Sequence, residues 1–230
     1  MKGKISPGLA VLIGAVTVFV VLAVLFGFTA VSNEEQASLN VQFDPITFVA
    51  ESWDEVQTVI TDEAVPLADV LNRITPDADG KATTESLTPV AEELGRITTG
   101  NAHVYRVTAT GTVTDVDMET SKGTLGMTVD GYEGPIKVRV YVGSRIPSDE
   151  SSIRDATGFI EFGDFREQTE YGKVAAEINK KVIENLEAVD VESLVGKPIS
   201  VTGAFTLRTQ NQPSVDISQV SLVPIEIAAR

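Results

Sequence analysis

The side chains able to do chemistry in this sequence are few, and their spacing narrows what they can do. His103 is the only histidine and there is no cysteine. A tetrahedral zinc site needs three or four nitrogen or sulfur ligands, so zinc has no ligand set here. A Ser-His-Asp triad would have to use His103, and no G-x-S-x-G turn presents a serine to it. His103 is expected to be a surface or strand-end residue. Asp115, Asp117 and Glu119 stand two residues apart. An extended chain would turn all three carboxylates to one side, where Ca²⁺ could gather them, and a solvated strand end explains them as well. Asp77-Ala78-Asp79-Gly80 has the middle of an EF-hand loop, but Ser86 then falls where a bidentate glutamate is required, and the segment is expected to be a plain turn. No glycine-rich loop follows a strand and opens a helix, so no phosphate cradle is expected.

Three groups of polar residues remain as binding candidates. Lys137, Arg139 and Tyr141 alternate along one face of an expected strand, a basic patch on an acidic chain. Arg154, Asp155, Asp164 and Gln168 are interleaved with Phe159, Phe162 and Phe165, whose spacing asks for burial. Polar groups drawn in beside apolar ones need partners. Arg154 and Asp155 therefore either fix the loop into the following helix or line a polar pocket at the mouth of the domain. Asn179 lies further along that helix. Asp155 and Asp164 are the only pair to nominate for a hydrolase, which would need two carboxylates converging across a cleft. The sequence points to no cofactor.

These residues are carried by elements of two periods. Leu9 to Val31 is nearly all apolar, with Lys2 and Lys4 before it and Glu34 and Glu35 after it. A spanning helix needs about 20 such residues. The run is too long for a cleaved export signal, and Phe28-Thr29-Ala30-Val31 is a poor cleavage site. We expect a retained transmembrane anchor at 1–33, with the N-terminus cytoplasmic and the rest extracytoplasmic. Beyond the anchor, 16 basic residues face 33 acidic ones, a net of −17. That charge repels polynucleotides and anionic headgroups.

Residues 34–101 read as a linker and a helical segment. Asp44-Pro45 is an expected N-cap and first helical residue, and Ile46, Val49, Trp53, Val56 and Ile60 recur on one face. A short second helix is expected to carry Leu67, Val70, Leu71 and Ile74. A third is expected to be capped by Ser86 and to end at Gly95. From His103 the period becomes two. Tyr105 to Val113 alternates with Arg106 to Thr114, and Val116 falls on the wrong parity, which predicts a bulge near Thr114. Further strands are expected at Leu125–Val129, Ile136–Val142, Ile199–Leu207 and Val215–Leu222. A long helix over 165–188 is expected between the third and fourth strands. The expected fold is α+β: a transmembrane helix, a short helical segment, then at 102–230 a five-stranded OB-like barrel with an inserted helix.

The stretch R-D-A-x-x-F-I-x-F-x-D-F-x-x-Q-x-x-Y from Arg154 to Tyr171, running into a helix with Asn179, resembles the DUF2291 family of predicted periplasmic lipoproteins. Phe43-Asp44-Pro45, Trp53, Ala64-Val65-Pro66-Leu67, Gly111-x-Val113, Gly196-Lys197 and Gly203-Ala204-Phe205 agree with it. The resemblance covers roughly Val41 to Pro224. It implies a membrane-tethered extracytoplasmic protein, and members are often encoded beside ribose-type sugar ABC transporters, whose components are thus expected partners. The family carries no established activity, so no catalytic residue is carried over. The chain departs from the pattern in lacking a lipobox cysteine and in having Glu167 in place of an asparagine. A non-enzymatic binding or accessory module is the expected function, with an extracytoplasmic carbohydrate-active hydrolase and a purely structural envelope protein as alternatives.

Overall fold

Asp44 opens the folded unit because its carboxylate can accept from the first free amides of a helix. In the computed structural model, which describes residues 43–230, it accepts from Ile46 N at 3.0 Å and Thr47 Oγ1 at 2.6 Å, and α1 (Pro45–Asp62) follows. The expected anchor at 9–31 and the linker at 34–40 lie outside the described residues. Among the described residues no helix is long and apolar enough to cross a membrane. Val49, Val56 and Ile60 bury one face of α1, but Ile46, in the first turn, is exposed.

Val65–Pro66 (β1) and α2 (Leu67–Arg73) come next, then β2 (Lys81–Thr83) and α3 (Thr84–Leu94). The cap of α3 is Thr83 rather than Ser86: Thr83 Oγ1 accepts from Ser86 N at 3.2 Å, which makes Ser86 the third helical residue. Gly95 ends α3 without a left-handed φ. Its requirement is space, because an added Cβ would lie 2.6 Å from the Val104 carbonyl and 2.8 Å from the Tyr105 ring.

The barrel strands are β4 (His103–Asp117), β5 (Thr124–Met127), β6 (Lys137–Tyr141), β7 (Pro198–Leu207) and β9 (Gln219–Ala229), and the short β3 (Arg96–Ile97) pairs with the start of β4. β4 pairs antiparallel with β5, β5 with β6, and β7 with both β4 and β9, while β6 runs parallel to β9. That circuit closes the five strands in the order expected of an OB-type barrel. The register slips between Val113 and Asp115, where the parity of Val116 predicts a bulge. Gly111 lies just before it, where a side chain would run into the Thr128 carbonyl.

The expected last strand over 215–222 is two strands. Asp216 accepts from Ser218 N at 2.9 Å and Ser218 Oγ at 2.7 Å, and this side-chain turn breaks the extended run. β8 (Ser214–Asp216) leaves the barrel to pair with β2, and β9 continues to Ala229.

Between β6 and β7 lie α4 (Ser152–Thr157), a 3₁₀ turn (Phe162–Asp164), α5 (Gln168–Leu186) and a second 3₁₀ turn (Val191–Leu194). The long helix therefore starts three residues later than the apolar pattern suggests, because Asp164 and Phe165 belong to the preceding turn. Val174, Ala175, Ile178, Val182 and Leu186 form its buried stripe, packed on α1, α4 and β9. The phenylalanines before it are not core: Phe159 and Phe165 are half-buried and Phe162 is 53% exposed. Tyr105 and Phe205 stack inside the barrel with centroids 4.9 Å apart, and Leu67, Leu71 and Leu87 of the helical segment join the same core. Asp44–Arg230 is one compact unit, in which helical segment and barrel share their apolar interior.

Candidate functional site

Glu150 starts the segment that builds the site. Its Oε1 accepts from the backbone N of Ser152 at 2.9 Å and from the Ser152 hydroxyl, covering the amino end of α4. From α5, the buried Asn179 donates Nδ2 to the Glu150 carbonyl at 2.8 Å. The helix-borne amide thus locks the turn that launches α4.

Arg154 and Asp155 follow within α4, both nearly buried. Arg154 Nε and Nη2 donate to Asp155 Oδ1 at 2.9 and 2.6 Å, and Nη1 donates to the Tyr171 carbonyl at 3.0 Å. The guanidinium lies 3.4 Å from the centroid of the Tyr171 ring, a cation–π contact. Asp155 also accepts from Ser151 Oγ at 2.6 Å and from the Tyr171 hydroxyl at 3.1 Å. Burial first, and then the Asp155 carboxylate, push the Tyr171 phenol up to about 12. Two barrel-side arginines close the other end of α4. Arg96 donates to the Asp155 carbonyl at 2.9 Å, and Arg106 to the Ala156 carbonyl at 2.8 Å. Free carbonyls at a helix C-terminus favour such cations. Gly158, with φ +81°, ends the helix and leaves room for Arg96, whose Nη1 would sit 3.2 Å from an added Cβ.

This scaffold forms one wall of a cleft of about 570 Å³, with Arg96, Phe162, Gln168, Tyr171 and Gln210 among its lining. Phe162 and Tyr171 meet edge to face with centroids 5.6 Å apart. Gln168 stands at the first turn of α5, and Gln210 arrives from the loop after β7. Neither amide has a hydrogen-bond partner among the described residues. Arg154 with Asp155, and Arg96 with Glu161 at 3.8 Å, leave the lining close to neutral. An aromatic wall beside free amides suits a ligand with an apolar face and hydrogen-bonding edges.

Asp164 is elsewhere in role. Its Oδ2 accepts from Glu161 N at 2.9 Å and caps the 3₁₀ turn, exposed to solvent. Asp155 and Asp164 therefore do not present free carboxylates to a common reacting atom.

The strand face also divides. Arg139 pairs with Asp115 across Gly126, where an added Cβ would crowd both side chains. Lys137 is exposed and lines, with Arg139, a second cavity of about 410 Å³. The Tyr141 phenol is pushed up by burial and by the nearby Glu150 carboxylate, and so belongs electrostatically to the turn before α4. Lys137, Arg139 and Tyr141 do not make one basic surface.

Asp115 is drawn to Arg139 and Thr114, which hold its carboxyl below the usual carboxylate range. Asp117 turns back to accept from Glu119 N at 3.0 Å. β4 ends at Asp117, so Glu119 lies beyond the extended run that would have aligned it with Asp115 and Asp117. Among the described residues no three or more His, Asp or Glu side chains cluster to hold a metal ion.

His103 begins β4 as expected of a strand-end residue, but it is 2% exposed rather than solvated. It sits between β3 and β7, opposite Ile97 and Leu207. Its Nδ1 is buried without a partner among the described residues, and burial lowers its pKa below the ordinary value.

Glu150, Arg96, Arg208 and Gln210 were not legible as site residues. Within Asp149-Glu150-Ser151-Ser152 only Glu150 and Ser152 are buried, and the tie from Asn179 to the Glu150 carbonyl comes from 29 residues away in the chain. The alternation of Gly95, Arg96 and Ile97 is too short to carry a signal.

A family model described as predicted periplasmic lipoprotein (DUF2291) matches residues 18–228. The crystal structure of an OB-fold protein from Thermotoga maritima superimposes with a TM-score of 0.58, at 18% identity, covering 82% of this chain and 99% of that one. At that identity the likeness speaks for the fold alone. No curated protein matches the sequence.

Proposed function

Since the chain belongs to the DUF2291 family of predicted periplasmic lipoproteins, we propose that it is a membrane-tethered extracytoplasmic binding or accessory module that works by contact rather than catalysis. The observation that carries this reading is the cleft between α4, α5 and the Arg96–Gly100 turn. Its charges are spent on holding α4, while Phe162 and the Gln168 and Gln210 amides, which have no hydrogen-bond partner among the described residues, line its open side. A hydrolase would need carboxylates poised on substrate, whereas Asp155 is held by Arg154, Ser151 and Tyr171 and Asp164 by a backbone amide.

The sequence holds no cysteine to carry a lipid, and the apolar run from Leu9 to Val31 is the proposed tether. The proposed occupants are a small polar ligand in the cleft or, as the family resemblance implies, a component of a sugar ABC uptake system docked beside it. Protease added to intact protoplasts should remove the C-terminal unit while leaving the N-terminus in the membrane fraction. A fully shielded C-terminal unit would refute the topology. Thermal-shift measurements on the detergent-solubilised full chain, with pentoses and hexoses, test the cleft. A rise in midpoint that Phe162→Ala abolishes supports ligand binding. No response to any sugar, together with recovery of no transporter component in a pull-down from solubilised membranes, would refute the accessory role.

A further inference from the structure

One carboxylate beside the cleft is left without a close counter-charge. Glu150 is 9% exposed. Its Oε1 is used by Ser152, but its Oε2 receives no hydrogen bond among the described residues, and its only ion-pair partner there is Arg208 Nη2 at 4.0 Å. That guanidinium is already committed: Nη1 donates to Asp149 Oδ2 at 2.8 Å and Nη2 to the Asp149 carbonyl at 2.9 Å. Arg154 is likewise spent on Asp155. Pairing each arginine with its hydrogen-bonded acid leaves Glu150 over. The residue is nearly buried but Oε2 is not sealed off, so the carboxylate is open to a counter-charge that enters beside it.

Glu150 lines a small chamber of about 130 Å³ with Asp149, Thr206, Arg208 and Gln210. Asp155 and Gln210 line both this chamber and the main cleft. We infer that the chamber receives a protonated primary amine borne by the molecule whose body occupies the cleft against Phe162 and Tyr171. This rests on the cleft being the ligand site.

The chemistry of the chamber is that of a cation acceptor. An ammonium group has three donors to place, and the Glu150 carboxylate, the Thr206 hydroxyl oxygen and the Gln210 amide oxygen are acceptors in the lining. A water occupies about 30 Å³ of liquid, so the space suits an ammonium with one or two carbons. A hard metal ion fits poorly. It wants six or more oxygens in a tight shell. Capping of α4 accounts for Oε1 but not for Oε2, and a glutamine would serve that purpose equally.

The test uses the full-length protein in detergent and matched probe pairs: 2-phenylethylamine against 2-phenylethanol, and glucosamine against glucose, followed by calorimetry. The amine of at least one pair should bind about tenfold more tightly than its alcohol, the difference a charge-assisted hydrogen bond supplies. Glu150→Gln keeps the Ser152 acceptor and should erase the preference. Arg208→Gln removes the competing cation and should strengthen amine binding, a gain that mere loss of structure cannot imitate. Equal binding of amine and alcohol, a preference that survives Glu150→Gln, or no gain in Arg208→Gln would each overturn the inference. If the alcohols bind as well and Phe162→Ala weakens both members, the cleft stands as the ligand site and only the amine is wrong. If no probe binds, both readings fall.

Discussion

At the scale of single residues, two buried polar groups behave oppositely. Arg154 is satisfied on every side, by Asp155, the Tyr171 carbonyl and the Tyr171 ring. Arg154→Met would keep the stem and strand the Asp155 carboxylate in the interior. Breaking one side of a buried pair costs about 3–5 kcal/mol. Urea unfolding should show a loss of that size, and Arg154→Met with Asp155→Asn should recover part of it, because no unpaired charge then remains. His103 is the reverse case, a ring with no acceptor for a second proton. Its folded pKa lies below the ordinary value of 6.5. The unfolded chain therefore binds the proton more readily, and stability is complete above about pH 6.5 and falls as pH drops below it. The slope cannot exceed about 1.4 kcal/mol per pH unit for one group. Urea midpoints between pH 7.5 and 5 should decline in the wild type and stay flatter in His103→Phe. The depressed carboxylates, among them Asp115, Asp149 and Asp216, protonate only at or below the ordinary carboxylate range and act in a separate, more acid window.

At the scale of elements, what the sequence revealed depended on whether an element's identity is local. The Asp44-Pro45 start, the alternation from Tyr105 to Val113 and the stripe from Val174 to Leu186 are written in adjacent residues, and each element formed there. The parity of Val116 even located the bulge. Boundaries set by side-chain turns were harder. Asp216 and Ser218 look like polar punctuation within one strand, yet their hydrogen bonds send Val215 to one sheet and Val220 to another. The site was less legible still. Arg154 and Asp155 stood out among phenylalanines, but their partners come from α5 and from the Arg96 turn, far away in the chain. The α3 start offers a direct test, because Thr83 and Ser86 are both plausible caps by type. Thr83→Ala should cost about 1 kcal/mol, as loss of an N-cap does. Ser86→Ala should cost less, since the Ser86 hydroxyl only returns a bond to the Thr83 carbonyl. Equal losses in urea unfolding would mean that the cap is shared.

At the scale of the whole molecule, charge and core work against each other. The part of the chain beyond Asn33 carries a net of −17, and like charges at that density repel across the entire surface. No disulfide offsets this, so the shared core of barrel and helices must. Salt separates the two contributions. Between about 0.01 and 0.15 M the screening length falls from about 30 to about 8 Å, which weakens repulsion between distant carboxylates. It also weakens exposed ion pairs such as Arg73–Glu93, but each of those is worth only about 0–1 kcal/mol. The Arg154–Asp155 pair, with both side chains about nine-tenths buried, is screened far less. Repulsion summed over many acids should therefore dominate, and the urea midpoint should rise with sodium chloride. Urea is the denaturant to use, because guanidinium is itself a salt. A midpoint that falls instead would mean that surface ion pairs, rather than the apolar interior, carry the stability of this acidic domain.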